Sequence, residues 1–273
     1  MSSSNIQSNN KKSQSVRPAI ETLEGRAYLS GVPATVAVTV PGPIPSAVIA
    51  GVKANDKISV NVANNDVNRA KGRISITLFA SLDNTLSVDD AQIQPATIAG
   101  IAIAPGHNHS YKINVKTFPQ NLSGNYFILA NVAGTGVNTQ VGASITQANV
   151  LPAFRDLAGT VLSAPGNGRV GHKIPVTVQV TNSGNIPAKG SLGVEFGLSL
   201  SNAGTSPVAL GTLSKPISIK PGQSKVIHFS VPLAVGLPTG NQYIVADVDP
   251  NNVFLDPNLA NNINTFQTPI SVT

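Results

Sequence analysis

The chain has no cysteine and no tryptophan, and only 4 tyrosines and 8 phenylalanines among its 273 residues. Without cysteine neither disulfides nor thiolate–metal sites can form, so folding must be driven by burial of apolar side chains. The lack of both residue types also excludes the Cys–Trp–Cys core of antibody domains. Scarce aromatic side chains leave few rings for stacking on bases or sugars, which weakens any expectation of a carbohydrate site.

Charged residues are also few, at 11% of the chain, and the formal net charge is +6. Residues 1–31 hold four basic and two acidic side chains, while residues 32–150 and residues 151–273 each hold seven basic and five acidic side chains. Nucleic-acid-binding proteins concentrate positive charge in a patch or stripe. This even distribution therefore predicts no nucleic-acid partner.

No apolar run approaches the length of about 18–20 residues that a membrane-spanning helix needs. The longest runs, Val32–Val40 and Ala96–Ala104, are interrupted by Thr, Gly or Pro and are predicted to form buried strands. The chain has no nucleophile elbow, no H-E-x-x-H motif and no Gly-rich phosphate loop after a strand. We therefore predict neither a transmembrane segment nor an enzyme.

An internal repeat is the main positive feature of the sequence. Residues Ala63–Leu82 align without a gap on Thr181–Leu200 at an offset of 118, and Pro105–Val132 align on Pro221–Val248 at an offset of 116. Solenoid repeats have periods of roughly 20–50 residues, so a repeat of this length indicates a duplicated domain. The sequence predicts two copies of one module behind a leader.

Both copies contain short runs in which apolar residues alternate with polar or small ones, as in Ile74-Ser-Ile-Thr-Leu78 and Val176-Thr-Val-Gln-Val180. Period-2 alternation between Gly-, Pro- and Asn-containing turns is typical of strands with one buried face. The prediction is an all-β fold: two tandem immunoglobulin-like antiparallel β-sandwiches of Greek-key type. The predicted domains are a disordered leader over residues 1–31, a first sandwich over 32–151 and a second over 152–273. We expect aliphatic cores, with gaps filled by Phe79, Phe127, Phe196, Phe229 and Tyr243.

The second module resembles the CARDB domains, the bacterial "cell adhesion related" sandwiches. The resemblance lies in Val176–Asn185, in the turn Ile219–Ser224 and in the ending Gly240–Asn262, which is rich in Asp and Asn. The first module resembles a degenerate relative, because it keeps Pro105-Gly106 and Gly124-Asn-Tyr-Phe but lacks that ending. The resemblance implies a non-catalytic sandwich with an adhesion role.

The leader begins with Ser- and Asn-rich residues 1–15 and has no apolar stretch of the kind that a secretory signal contains. Residues 17–30 instead resemble the N-terminal sorting segment of extracellular planctomycete proteins, E-x-L-E-x-R-x-L-L-S. The matching residues are Glu21, Leu23, Glu24, Arg26, Leu29 and Ser30, whereas Tyr28 replaces the first Leu of the pair. The resemblance implies export, so an extracellular or cell-surface location is expected. A mobile tail with a short helical turn is the alternative.

Two clusters of carboxylates are candidate calcium sites: Asp83, Asp89 and Asp90 in one loop, and Asp247, Asp249 and Asp256 near the end of the chain. Calcium requires six to eight oxygen ligands, which Asp, Asn and backbone carbonyls can supply. Neither cluster has EF-hand spacing. The alternative is that these side chains stabilise turns by accepting bonds from their own backbone. No other cofactor is expected.

His107 and His109 form an H-N-H pair after the Pro105-Gly106 turn. Metal binding usually needs a third ligand, so the alternative is a pair of exposed loop histidines. The matched turn of the second module carries Gln223 and Lys225 instead.

Together these features predict a non-catalytic, exported adhesion or spacer protein of the cell surface or extracellular matrix, whose partner is a surface protein or glycan. A binding module for calcium or a glycan is the alternative.

Overall fold

The structure is a computed structural model that describes Met1 and residues 33–273. The predictions of a disordered leader and of a sorting segment over residues 17–30 lie outside the described residues. Within residues 33–273 the chain is all-β, with a single turn of 3-10 helix at Leu259–Asn261 and no α-helix. No helix of this described part is long and apolar enough to cross a bilayer.

The strands of the first half, residues 33–151, are β1 (Val36–Thr39), β2 (Ala47–Ile49), β3 (Lys53–Asn64), β4 (Ala70–Ser81), β5 (Ala91–Ile103), β6 (Asn108–Thr117), β7 (Gly124–Gly134) and β8 (Val137–Leu151). Those of the second half, residues 152–273, are β9 (Leu157–Ser163), β10 (Asn167–Gly168), β11 (Lys173–Asn182), β12 (Ala188–Ser199), β13 (Val208–Ile219), β14 (Ser224–Pro232), β15 (Gly240–Val248), β16 (Ile263–Thr265) and β17 (Ile270–Val272).

The two halves have the same strand order. The first half consists of a three-stranded sheet, β1-β3-β6, and a five-stranded sheet, β2-β8-β7-β4-β5. The second half has the corresponding sheets β9-β11-β14 and β10-β17-β15-β12-β13, with β16 also paired to β15. This two-sheet arrangement confirms the predicted immunoglobulin-like sandwich fold.

The sequence predicts antiparallel sheets, but two of the observed strand pairs are parallel. β2 runs parallel to β8, and β10 runs parallel to β17. In each half the N-terminal segment leaves the smaller sheet at a proline-containing stretch, residues 41–45 or residues 164–166, and joins the larger sheet beside its last strand. Proline lacks an N–H group, so it interrupts the ladder and permits this change of sheet.

Each half has its own hydrophobic core, one running from Ala34 to Val150 and the other from Leu157 to Val272. Phe196 and Phe229 are buried as predicted, with ring centroids 5.1 Å apart. The prediction was wrong for Phe79, Phe127 and Tyr243, which are only half-buried, whereas Phe118 and Phe254 are buried. Phe79 follows the inward-facing Ile74, Ile76 and Leu78 at odd spacing, so alternation places it on the outer face.

A buried asparagine occupies the same place in both halves. Asn64 Nδ2 donates to Asn68 O (2.8 Å) and Ile103 O (3.0 Å), while its Oδ1 accepts from Asp66 N (3.1 Å).

Asn182 repeats this pattern at an offset of 118. Its Nδ2 donates to Ile186 O (2.9 Å) and Ile219 O (3.1 Å), while its Oδ1 accepts from Gly184 N (3.1 Å). Both asparagines are fully buried. Each ties the loop that precedes β4 or β12 to the end of β5 or β13, so the repeat extends to individual hydrogen bonds.

The chain changes its partners between residues 151 and 152. Leu151 O accepts a bond from Ala50 N of the first half (2.9 Å). Pro152 O accepts from Asn185 Nδ2 (2.8 Å), and Phe154 N donates to Asn185 Oδ1 (2.9 Å), both within the second half. Because residues 33–273 cluster as one compact unit, the predicted domain boundary at this position stays a prediction.

Candidate functional site

The Asp- and Asn-rich ending forms a loop, residues 249–262, between β15 and β16. Asp249 and Asp256 are 2% and 3% exposed. Asp249 Oδ1 accepts from Val253 N and Oδ2 from Phe254 N, both at 2.9 Å. Asn252 Oδ1 accepts from Asp256 N at 2.6 Å. Asp249 and Asn252 have left-handed backbone conformations (φ 57° and 50°), which Asp and Asn tolerate better than other residues with side chains.

The same ending also holds the first strand of its half in place. Asp256 accepts bonds from Leu157 N of β9 and, at 2.8 Å, from Asn258 N. Asn264 Oδ1 accepts from Val161 N of β9 (2.8 Å). The bonds from Leu157 N and Val161 N join positions 99 and 103 residues apart in sequence. Side chains of the loop and of β16 therefore fasten β9, which belongs to the smaller sheet, where no β-ladder within the described residues connects the two sheets.

This geometry supports the turn role for Asp249 and Asp256, because both oxygens of each carboxylate accept a backbone N–H group. Within residues 33–273 no three His, Cys, Asp or Glu side chains are grouped so that they could hold a metal ion. Asp247 lies on β15, outside this hydrogen-bonded loop. Calcium binding by Asp247, Asp249 and Asp256 stays a prediction.

The other cluster, Asp83, Asp89 and Asp90, lies in the exposed loop between β4 and β5. Asp83 Oδ1 accepts from Thr85 N (2.7 Å), and Asp90 Oδ2 accepts from Ser87 N (2.8 Å). The Ser87 hydroxyl donates to Asp89 at 2.6 Å and lowers the pKa of that carboxyl. All three carboxylates act as local turn acceptors, and calcium binding here also stays a prediction.

The structure pairs Asp247 with a residue that the sequence analysis missed. Glu195 of β12 lies directly opposite Asp247 of β15 in the antiparallel ladder, and both border a hollow of about 230 Å³. Burial raises the pKa of Asp247, and the negative charges of Glu195 and Asp249 raise it further. Because cross-strand pairing depends on sheet register, no linear motif could have revealed this pair.

A second hollow lies in the first half, where the edge strands β5 and β6 leave the sandwich open. We call it the first-half mouth: a space of about 440 Å³ lined by residues 100–104, 107–109 and 111. His109 and Tyr111 pair with the buried Val62 and Val60 of β3, so their side chains face the gap between the sheets. Their rings are tilted, with centroids 4.7 Å apart, and burial raises the pKa of Tyr111.

The mouth changes the interpretation of the H-N-H pair. His107 and His109 both line it, together with Tyr111, which no metal motif includes. The prediction that Ala96–Ala104 forms a buried strand was partly wrong. β5 is an edge strand in which Ile101 and Ile103 are buried, whereas Thr97, Gly100 and Ala102 are exposed.

In the second half the corresponding opening is crossed by a side chain. Lys225 of β14 lies opposite Val180, the register position that matches His109 opposite Val62. Its Nζ donates to Pro216 O of the edge strand β13 at 3.2 Å. In the first half, the residues before Ile101 form a bulge where the second half has Pro216.

Residues 154–266 match the sequence model of the CARDB family. The second half therefore contains a CARDB domain, in agreement with the resemblance seen in the sequence. The family match does not extend into the first half, so a second, degenerate CARDB domain there stays a prediction. A search of curated proteins found no match.

The chain is also similar to several solved structures. The CARDB domain of the PF1109 protein from Pyrococcus furiosus, in complex with di-metal ions, is 25% identical over 44% of this chain and 94% of that one, with a TM-score of 0.32. Red sea bream transglutaminase is 13% identical over 87% of this chain and 31% of the transglutaminase chain, with a TM-score of 0.31. A β-glucosidase from Listeria innocua in complex with glucose is 14% identical over 44% of this chain and 16% of the glucosidase chain, with a TM-score of 0.30. Scores this low support no statement about metal binding or activity.

Proposed function

We propose that the protein is a non-catalytic, exported adhesion or spacer element that presents β-sandwich surfaces at the cell surface or in the extracellular matrix. The observation that carries the proposal is the match of residues 154–266 to the CARDB family, which is an adhesion-like, non-enzymatic module family. One fold hosts many functions, so the family match supports this role by analogy.

The arrangement of polar groups supports a structural role. The buried carboxylates of the CARDB domain accept backbone N–H groups, and the buried asparagines fasten loops to strands. Catalytic acids and bases need titratable side-chain atoms within reach of a substrate. In the CARDB domain the buried Asp249 and Asp256 are instead committed to holding loops and strands in place.

Export is the part of the proposal that residues 17–30 carry. We expect the full chain to appear at the cell surface or in the medium, and a chain with Leu23→Asp, Arg26→Asp and Leu29→Asp to stay inside. Cell fractionation with an antibody against the folded part measures this. Scrambling residues 1–15 is the matched control and should leave export unchanged. Retention of the unaltered chain inside the cell would remove the export proposal.

Adhesion requires a separate measurement. Beads coated with residues 33–273 should attach to the surface fraction of the producing cells, and soluble protein should compete for that attachment. Beads coated with the same protein after heat denaturation are the control for non-specific adsorption. Equal attachment of both bead types would count against an adhesion role while leaving the spacer role in place.

A further inference from the structure

We propose that the first-half mouth binds a lysine side chain presented by a partner protein, in the way that Lys225 occupies the matched opening of the second half. The proposal goes beyond an adhesion or spacer role because it names a site and a ligand chemistry. It also stands without the export proposal.

The second half shows what such an opening accommodates. Lys225 lies on the edge strand β14, and its ammonium group donates to Pro216 O of the other edge strand, β13, so its aliphatic stem spans the gap between the two strands. Long basic side chains commonly cover apolar surface in this way and keep their charge at the boundary with water. Lys225 is thus an internal model for an external ligand.

The first half has the same framework without that side chain. Sheet register places His109 where Lys225 stands, and the shorter imidazole does not carry a terminal ammonium group to the opposite edge. The mouth instead keeps a volume of about 440 Å³. This exceeds the size of a single lysine side chain, so the ligand residue can enter with neighbouring backbone.

The lining of the mouth suits an alkylammonium group. Ile101 and Ile103, each 5% exposed, provide an apolar floor for the stem. The tilted rings of His109 and Tyr111 offer aromatic faces. An ammonium group placed within about 6 Å of a tyrosine ring is attracted by its negative face. β5 pairs with β4 on one side only, so backbone carbonyl groups on its free side are available as acceptors in the way that Pro216 O is in the second half.

The test uses the full chain, labelled with ¹⁵N, and the peptide acetyl-Gly-Lys-Gly-amide. We expect weak, saturable shifts in the amide signals of residues 100–111, with a dissociation constant on the order of millimolar. The same peptide with norleucine in place of lysine keeps the stem but lacks the ammonium group, and it should bind at least about tenfold more weakly. Equal shifts with both peptides, or none with either, would overturn the proposal.

Two variants test the proposal further. His109→Lys should fill the mouth from within, as Lys225 does, and weaken peptide binding by at least about tenfold. His172→Lys makes the same chemical change at an exposed site in the second half and should leave binding unchanged. Unaltered binding by a folded His109→Lys protein, judged from its amide spectrum, would contradict the assignment.

Opening the second half provides the reciprocal measurement. Lys225→Ala removes the side chain that crosses to Pro216, so the lysine peptide should then also shift signals of residues 215–219. Absence of these shifts would show that Lys225 is not a valid model for the ligand. Titration with glucose and N-acetylglucosamine separates the glycan alternative: saccharide shifts at residues 100–111 without lysine-peptide shifts would overturn the lysine assignment.

Discussion

The two halves of the molecule begin alike and end differently. In the first half β7 turns at residues 135–136 into β8, a single strand of 15 residues that pairs with both β7 and β2. In the second half β15 is followed by the loop of residues 249–262 and then by two strands of 3 residues each, β16 and β17. The same strand order is therefore completed in the first half by one continuous strand, and in the second half by two short strands that follow a loop held by side chains.

The difference explains why Asp and Asn are concentrated in only one ending. A long ladder strand satisfies its N–H groups by regular pairing, whereas an irregular buried loop needs side-chain acceptors for them. Asp249 and Asp256 fill that need in the CARDB domain. Composition at this end thus reflects how the sandwich is closed, and it is not by itself evidence of a ligand site.

The largest effect is expected from Asp249→Asn. Asn keeps the shape and tolerates φ 57°, but its Nδ2 group would face a backbone N–H donor now held at 2.9 Å. A buried donor left without an acceptor costs about 1–3 kcal/mol, and bonds to a charged group are stronger than neutral ones. We expect the free energy of unfolding of the second half to fall by about 3 kcal/mol, measured by denaturant unfolding.

The matched control is Asp83→Asn in the exposed loop of the first half, which should change stability by less than about 0.5 kcal/mol. If both substitutions had the same small effect, the two acidic clusters would be equivalent. The structural distinction between the two endings would then fail.

The shared part of the halves is tested by Asn64→Ala and Asn182→Ala. Each change removes the matched side-chain hydrogen bonds and leaves buried carbonyls, Ile103 O or Ile219 O, without that donor. Both variants should lose about 2 kcal/mol in the free energy of unfolding, with equal losses within about 0.5 kcal/mol. Denaturant titration of the two proteins side by side measures this. A large loss in only one half would show that the repeat is not energetically equivalent.

Much of this fold could be predicted because its signals are local. Alternation predicts the inward faces of β4 and β11, and Gly-, Pro- and Asn-containing turns mark where strands end. The parallel pairs β2–β8 and β10–β17 were missed because a change of sheet by the first strand leaves only prolines in the sequence. Phe79 is only half-buried, which shows that its place in the alternation outweighs its aromatic character.

The candidate sites were harder to predict, since they depend on long-range register. The carboxylates were found in the sequence, but their hydrogen-bond partners, such as Leu157 for Asp256, lie about 100 residues away. His109 was recognised, yet its significance depends on the position it shares with Lys225 and on the edge strand across the gap. Spacing along the chain contains neither fact.

A smaller effect is expected when the halves are separated. Because residues 152–156 bond mainly to the second half, residues 152–273 expressed alone should fold and unfold cooperatively. Their free energy of unfolding should lie within about 1 kcal/mol of the value for the second half in the full chain. Circular dichroism during denaturation measures this. Loss of cooperative unfolding in the fragment would remove the predicted domain boundary between residues 151 and 152.

The smallest effect should come from Asp247→Asn, and its sign distinguishes the two acidic clusters. The pKa of Asp247 is raised from its usual 3.8, so ionisation costs more in the folded protein than in the unfolded chain. This penalty is absent below pH 3.8 and grows as the pH rises through the folded-state pKa. Asp247→Asn should therefore stabilise the protein at pH 7, by about 0.5 kcal/mol or less for a half-buried group, and not at pH 3.

For Asp89, whose pKa is lowered by the Ser87 hydroxyl, the same substitution should not stabilise at pH 7. Melting temperatures at both pH values measure the contrast, and stabilisation by both substitutions would show that the two clusters share one electrostatic environment.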